Sequence, residues 1–265
     1  IGGADFGDFD VDPRSDCTGQ FHGTPVSSIA AGDGGGITGA APDASIVHVK
    51  VQSSANCGSA GLDGDIVGAM DWVVANSQAL GIDVMSMSLG SGQLFGGSCD
   101  SFDRSSAAIA DAAVDAGIVV LAASGNSGSK SSMSWPACLS SVVSVGSVYD
   151  SNIGSQFFGV CRDFSTTSDQ VTCYSNSAGF LDLLAPSEGA TAAQAGGGQV
   201  QFGGTSSATP FAAGVIALLV DADPTLTPAE LVDIARSNGV LVTDPANGVT
   251  TPRVDVVESL LAILT

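Results

Sequence analysis

The chain has 265 residues, of which 44% are hydrophobic, 6% aromatic and 13% charged. That is enough to bury a full core in one α/β domain, and it excludes disorder, a collagen-like repeat or a coiled coil. Asp and Glu number 27 against seven Lys and Arg, a formal charge of −20, so a phosphate backbone or an anionic membrane surface would be repelled at every approach.

In chain order, the small-residue stretch Ser27–Ala31 predicts a helix that packs closely against its neighbours. Apolar runs bounded by Gly, Pro, Ser or Asp predict strands at Ile46–Val51, Val84–Ser88, Ile118–Ala123 and Val142–Val148. Between the first two, Ile66, Val67, Met70, Val73 and Val74 recur at helical spacing; between the next two, Ala107, Ala108, Ile109, Ala112 and Ala113 do so before Gly117. Three further helices are expected at Ser206–Val220, Pro228–Ser237 and Pro252–Leu264, two of them opening on a proline whose missing N–H costs nothing there. Ser91–Ser101 and Asn152–Asn176 read as surface loops, the second containing a Cys161 to Cys173 hairpin. Alternating strands and helices imply a mostly parallel central sheet with helices on both faces, which places ligands at the carboxyl ends of the strands. No repeat or linker divides the chain, so residues 1–265 are expected to form a single domain.

The six cysteines, Cys17, Cys57, Cys99, Cys138, Cys161 and Cys173, form no CxxC pair. This favours up to three disulfides in an oxidising compartment over zinc or a redox dithiol, and leaves 15 full pairings open. No basic region precedes an apolar run at Ile1, and the longest apolar stretch, Phe211–Val220, is too short for a bilayer. The expected product is a mature, soluble, secreted chain.

Three residues, His22, Ser206 and Asn126, are candidates for chemistry, and one further histidine is set aside. His48 lies inside an alternating strand, where a hydrogen-bonded structural role is the commoner one, and it receives no catalytic role. His22 precedes the small-residue helix and titrates near neutrality, as a general base must. Ser206 follows Gly203-Gly204-Thr205 at the head of a helix, where free N–H groups and a positive dipole end favour developing negative charge. Taken alone, a helix N-cap explains the same pattern. Asn126 follows an apolar strand that ends in Ser124-Gly125, which puts an amide donor at the sheet's carboxyl edge; an ordinary turn asparagine is the plain alternative.

Together the HGT at His22, the strand ending in Gly125-Asn126 and the Gly-Thr-Ser-Ser-Ala-Thr-Pro from Gly204 resemble the subtilisin family of serine proteases, in residue type and in order. The resemblance covers essentially the whole chain and implies the subtilisin-like three-layer α/β fold. It implies Ser206 as nucleophile, His22 as base and then acid, and Asn126 as oxyanion donor. Ser88, Leu89 and Gly90 would pair with an extended substrate, and Ala123, Ser124 and Gly125 would line the pocket for the residue before the scissile bond. Secreted endopeptidase activity on protein or peptide substrates follows, without a catalytic cofactor and as a monomer. Structural calcium occurs in the family, but no DxDxDG loop is present, so the metal assignment stays open. The same resemblance suggests the disulfides Cys17–Cys57, Cys99–Cys138 and Cys161–Cys173.

The sequence also departs from the family. No strand like VAVIDTG, with its acid, precedes His22; Ile1–Phe6 resembles the strand that follows it, so the triad Asp and its central strand are expected upstream of Ile1, this chain being either an incomplete portion of the protease or a processed one whose first segment is retained without a covalent link. Setting Asp5-Phe6-Gly7 against that motif leaves only 17 residues before His22 and a poor central strand. Phe21, Pro25, Ser207 and Phe211 replace residues common at those positions and touch no reacting atom. A peptide-binding scaffold without activity, or a ligase that passes the acyl group to an amine, are the competing functions.

Overall fold

The computed structural model describes residues 3–8, 12–14, 22–52 and 63–264. Its strands are β1 (Gly3–Asp5), β2 (His48–Lys50), β3 (Val84–Met87), β4 (Val119–Ala123), β5 (Val143–Val148), β6 (Leu183–Pro186), β7 (Ala190–Ala193), β8 (Gln199–Phe202), β9 (Val240–Thr243) and β10 (Thr250–Arg253), beside several two-residue pairs. Its helices are α1 (Gly23–Ala31), α2 (Asp63–Leu80), α3 (Arg104–Asp115), α4 (Thr205–Ala222), α5 (Pro228–Ser237) and α6 (Val256–Leu264). Six strands form one sheet in the order β9-β10-β6-β5-β4-β3, parallel throughout except for the β9–β10 pair. β1 and β2 make a separate parallel pair.

Period-2 alternation explains why β4 is apolar at every position, since successive side chains point to opposite faces. Val120 and Ala122 enter a core with Met85 and Met87 of β3, Ile66, Met70 and Val73 of α2, and Ala110 and Ala113 of α3. Val119 and Leu121 enter the opposite core with Val145, Leu183, Ala185 and the buried face of α4. The layered α/β architecture expected from the sequence, a mostly parallel sheet covered on both faces, is therefore present. α4 is long and apolar enough to cross a membrane, but most of it is buried inside this second core. Gly214 lets α4 approach α1 and the turn after it: a Cβ there would lie 2.6 Å from Ala40 Cβ and 2.9 Å from the Ala30 carbonyl.

Two expectations need correction. Pro252 does not open a helix; it lies in β10, and the last helix starts at Val256. Proline is tolerated because β10 carries the short junction between the parallel sheet and the antiparallel β9, where a full ladder of donors is not required. Strands β6 to β10 were also not anticipated, because each is only four residues long and runs such as Leu183-Leu184-Ala185-Pro186 show no period-2 alternation. The disulfides Cys99–Cys138 and Cys161–Cys173 are present, the latter tying the hairpin in which Gln156–Phe157 pairs with Arg162–Asp163 to the segment that follows it. The expected Cys17–Cys57 pair lies outside the described residues.

Candidate active site

The site assembles where β4, α4 and the end of β3 meet. Past β4 the chain is tied down by Asn176, which sequence reasoning missed. Its buried amide donates to the Ser124 carbonyl (3.0 Å), and its Oδ1 accepts from Ser127 N–H (3.1 Å) and Ser129 N–H (3.0 Å). Ser124 Oγ returns a bond to the Asn176 carbonyl at 2.8 Å. Gly125, at φ +105°, lies so close to Asn176 Nδ2 and Ser134 Oγ that a side chain would collide with both.

This loop presents Asn126 to the head of α4. Asn126 Oδ1 accepts from both Thr205 N–H and Thr205 Oγ1, each at 2.9 Å. Because a backbone N–H can only donate, Oδ1 must be the atom that faces Thr205, and Nδ2 is left without a partner among the described residues. Asn126, Ser206, Leu89, Gly90, Ala123 and Gly125 line one cavity of about 230 Å³, together with Ser134.

Ser206 stands in the first turn of α4, and Pro210 lies four residues on. Proline has no N–H, so the carbonyl of Ser206 is denied its helical partner. Ser88 Oγ supplies the missing donor at 2.8 Å, and Ser206 Oγ donates in turn to the Ser88 carbonyl at 3.4 Å. A proline that would ordinarily weaken the helix thus frees an acceptor that ties the Ser206 turn to the end of β3.

His22 is the N-cap residue of α1 and contributes no side-chain capping bond. Its ring lies edge-on to Phe202 of β8, with centroids 5.4 Å apart, four residues before Ser206. Partial desolvation by its neighbours lowers its pKa below the ordinary value of 6.5 although the residue keeps contact with solvent, so the imidazole is mainly neutral at neutral pH. No hydrogen bond joins it to Ser206 or to a carboxylate among the described residues. His48, by contrast, packs against the backbone after His22: a Cβ on Gly23 would fall 2.6 Å from His48 Cε1. The expected hydrogen bond of His48 is not found among the described residues.

Of the other predicted residues, Ser124 is fully buried and faces Asn176 instead of the cavity. Asp5 is also committed elsewhere: it accepts from Gly7 and Asp8 amides and from Lys50 Nζ at 2.8 Å. No cluster of three or more His, Cys, Asp or Glu able to hold a metal occurs among the described residues. Ser134, Asn176 and Thr205 were not singled out from the sequence; a Thr beside the candidate serine was the one available signal.

The chain matches the subtilase family over residues 8–247 and belongs to that family. It is 34% identical over 241 residues to Subtilisin E of Bacillus subtilis (strain 168), covering 89% of this chain and 54% of the relative. Identity to Alkaline serine exoprotease A of Vibrio alginolyticus is 33% over 251 residues, covering 94% and 40%. The chain thus spans about half the length of the curated relatives it matches. A crystal structure of a cold adapted subtilisin-like serine proteinase superposes with a TM-score of 0.73 at 29% identity, over 95% of this chain and 80% of that one. Sphericase gives a TM-score of 0.74 at 24% identity, over 95% and 83%, a likeness of fold.

Proposed function

We propose that the protein is a secreted serine endopeptidase in which Ser206 attacks the peptide carbonyl. His22 takes the hydroxyl proton and later returns it to the leaving amine, and Asn126 Nδ2 bonds the oxyanion as it forms. The observation that carries this reading is the Asn126 carboxamide: two bonds from Thr205 hold its oxygen, so its donor is preorganised beside Ser206 in a shared cavity. An extended peptide would run along Leu89 and Gly90, its side chain entering the cavity past Ala123 and Gly125, and recognition would rest mainly on backbone hydrogen bonds. Protein or peptide substrates and a disulfide-permissive compartment fit the two observed disulfides.

The acid that orients His22 is, on our reading, carried by a further strand. β2 pairs only with β1, and β3 ends the six-stranded sheet, so each leaves one edge unpaired among the described residues. Val49 and Val51 nevertheless pack into the same core as Met85 and Met87. A parallel strand inserted between β2 and β3 would join the two sheets, cover both edges and bring a carboxylate towards His22. Only with that acid in place would the imidazole turn to Ser206.

Fluorophosphonate labelling with peptide mapping tests the activity: the expected adduct is on Ser206, lost in Ser206→Ala and slowed in His22→Ala. An inert Ser206 would leave the peptide-binding scaffold as the function, and acyl transfer to added amines in preference to water would identify a ligase. Intact mass and N-terminal sequencing of the labelled material test the acid. A single labelled polypeptide beginning at Ile1, with no companion segment, would overturn the inserted strand.

A further inference from the structure

The turn that delivers Ser206 has a partner that the reaction scheme does not use. Gly204 N–H donates to Glu188 Oε1 at 2.9 Å and is shared with the Tyr174 hydroxyl oxygen at 3.1 Å. Tyr174 OH donates to the same Glu188 oxygen at 2.6 Å. The hydroxyl is further enclosed by Ser147 Oγ at 2.8 Å and Ser187 Oγ at 3.1 Å, and Phe158 packs edge-on against its ring at 4.6 Å. Burial and the nearby Glu188 charge push the Tyr174 pKa up, so it stays a donor. Gly203 passes so close to the Glu188 carboxylate that no side chain fits, and Gly204 adopts φ +80°. Gly203 is therefore required by the approach of the carboxylate, and Gly204 by its positive φ beside Asn126.

We propose that Glu188, held by Tyr174, is a positioning residue for Ser206. The inference rests on Ser206 being the nucleophile. By fixing the Gly204 amide, Glu188 sets the angle at which Thr205 meets Asn126 and at which Ser206 enters the cavity. A carboxylate bonded to an amide at a helix N-terminus is a strong clamp, favoured by both the charge and the dipole. Its charge also works against the reaction, because an anion near the head of α4 opposes the oxyanion that forms there. The clamp needs the acceptor oxygen; the chemistry would run better without the charge.

Those two effects separate by substitution. Glu188→Ala removes clamp and charge, and it should slow fluorophosphonate labelling of Ser206 and reduce kcat about tenfold or more, with KM within about twofold. Glu188→Gln keeps an acceptor and removes the charge, and it should label at least a third as fast as the parent protein. Tyr174→Phe, which preserves the packing against Phe158, should fall between them. Thermal melting of each variant reports folding; if Glu188→Ala does not fold, the Gln and Phe variants decide the matter. Labelling of Glu188→Ala at the parent rate, or of Glu188→Gln as slowly as Glu188→Ala, would overturn the proposal. For the non-folding case, so would parent-rate labelling of Tyr174→Phe. A parent protein that does not label at all would instead remove the nucleophile itself, and this inference with it.

Discussion

Replacing Asn126 with leucine keeps much of its volume and removes its donor, so kcat should fall about 100- to 1,000-fold while KM changes little. Steady-state kinetics on a short peptide substrate would show this; a loss confined to KM would mean that Asn126 binds substrate without stabilising the transition state. Ser88→Ala makes a different point. It strips the donor that replaces the absent Pro210 N–H, leaving the Ser206 carbonyl without its bond. Stability should drop by about 1 kcal/mol in urea titration, and kcat/KM should drop several-fold as the turn loosens. Asn126 and Ser206 were legible in the sequence because they stand in short, residue-specific motifs. The Ser88 hydroxyl was named only as part of a substrate-binding strand, since a bond between residues 118 positions apart leaves no local pattern.

The β1–β2 pair is pinned by Lys50, whose Nζ is bonded to Asp5 (2.8 Å), Asp8 (2.5 Å) and the Arg14 carbonyl (3.3 Å). Burial alone would lower its pKa, and the hydrogen bonds to Asp5 and Asp8 outweigh it, so the ammonium stays charged. Lys50→Met would leave Asp5 buried without its counter-charge, at a cost of about 3–5 kcal/mol in urea unfolding. The two observed disulfides should differ in value. Replacing both Cys99 and Cys138 with serine opens a loop with a sequence separation of 39, against 12 for Cys161 and Cys173. Chain entropy predicts losses of about 4 and about 3 kcal/mol, respectively. Helices α2 and α3 were readable from apolar spacing and α5 from its opening proline; the Thr227–Glu230 capping box that starts α5 was shown by the structure. β10 was misread because Pro252 is as acceptable at a strand end as at a helix start, and only its pairing decides between them.

With a formal charge of −20, the folded chain repels itself. Adding salt shortens the screening length from about 10 Å at 0.1 M to about 3 Å at 1 M, so the melting temperature should rise with NaCl. A melting temperature that stays flat or falls would show that attractive ion pairs, such as Lys50 with Asp5, outweigh the repulsion. The pH profile probes assembly of the whole site. His22 must be neutral to act as base, and partial desolvation lowers its pKa, so kcat/KM should fall as pH drops through a value below 6.5. A carboxylate brought against the imidazole would favour the charged form and move that limb upward. The shift between material with and without a companion strand therefore measures the acid directly.

The amino-acid sequence alone indicated the layered α/β class and singled out three residues for the proposed reaction, because each is written in a contiguous stretch of chain, whereas the two observed disulfide pairings came only from family likeness. Tertiary structure decided that Ser124 turns inward, that Asp5 serves Lys50, that Thr205 orients Asn126, and that Glu188 and Tyr174 reach the Ser206 turn. These are bonds between distant segments, and distance along the chain erases any local period that could announce them. Where the partners of a polar group come from is a question of packing, and it is answered only once the sheet and its helices have closed around it.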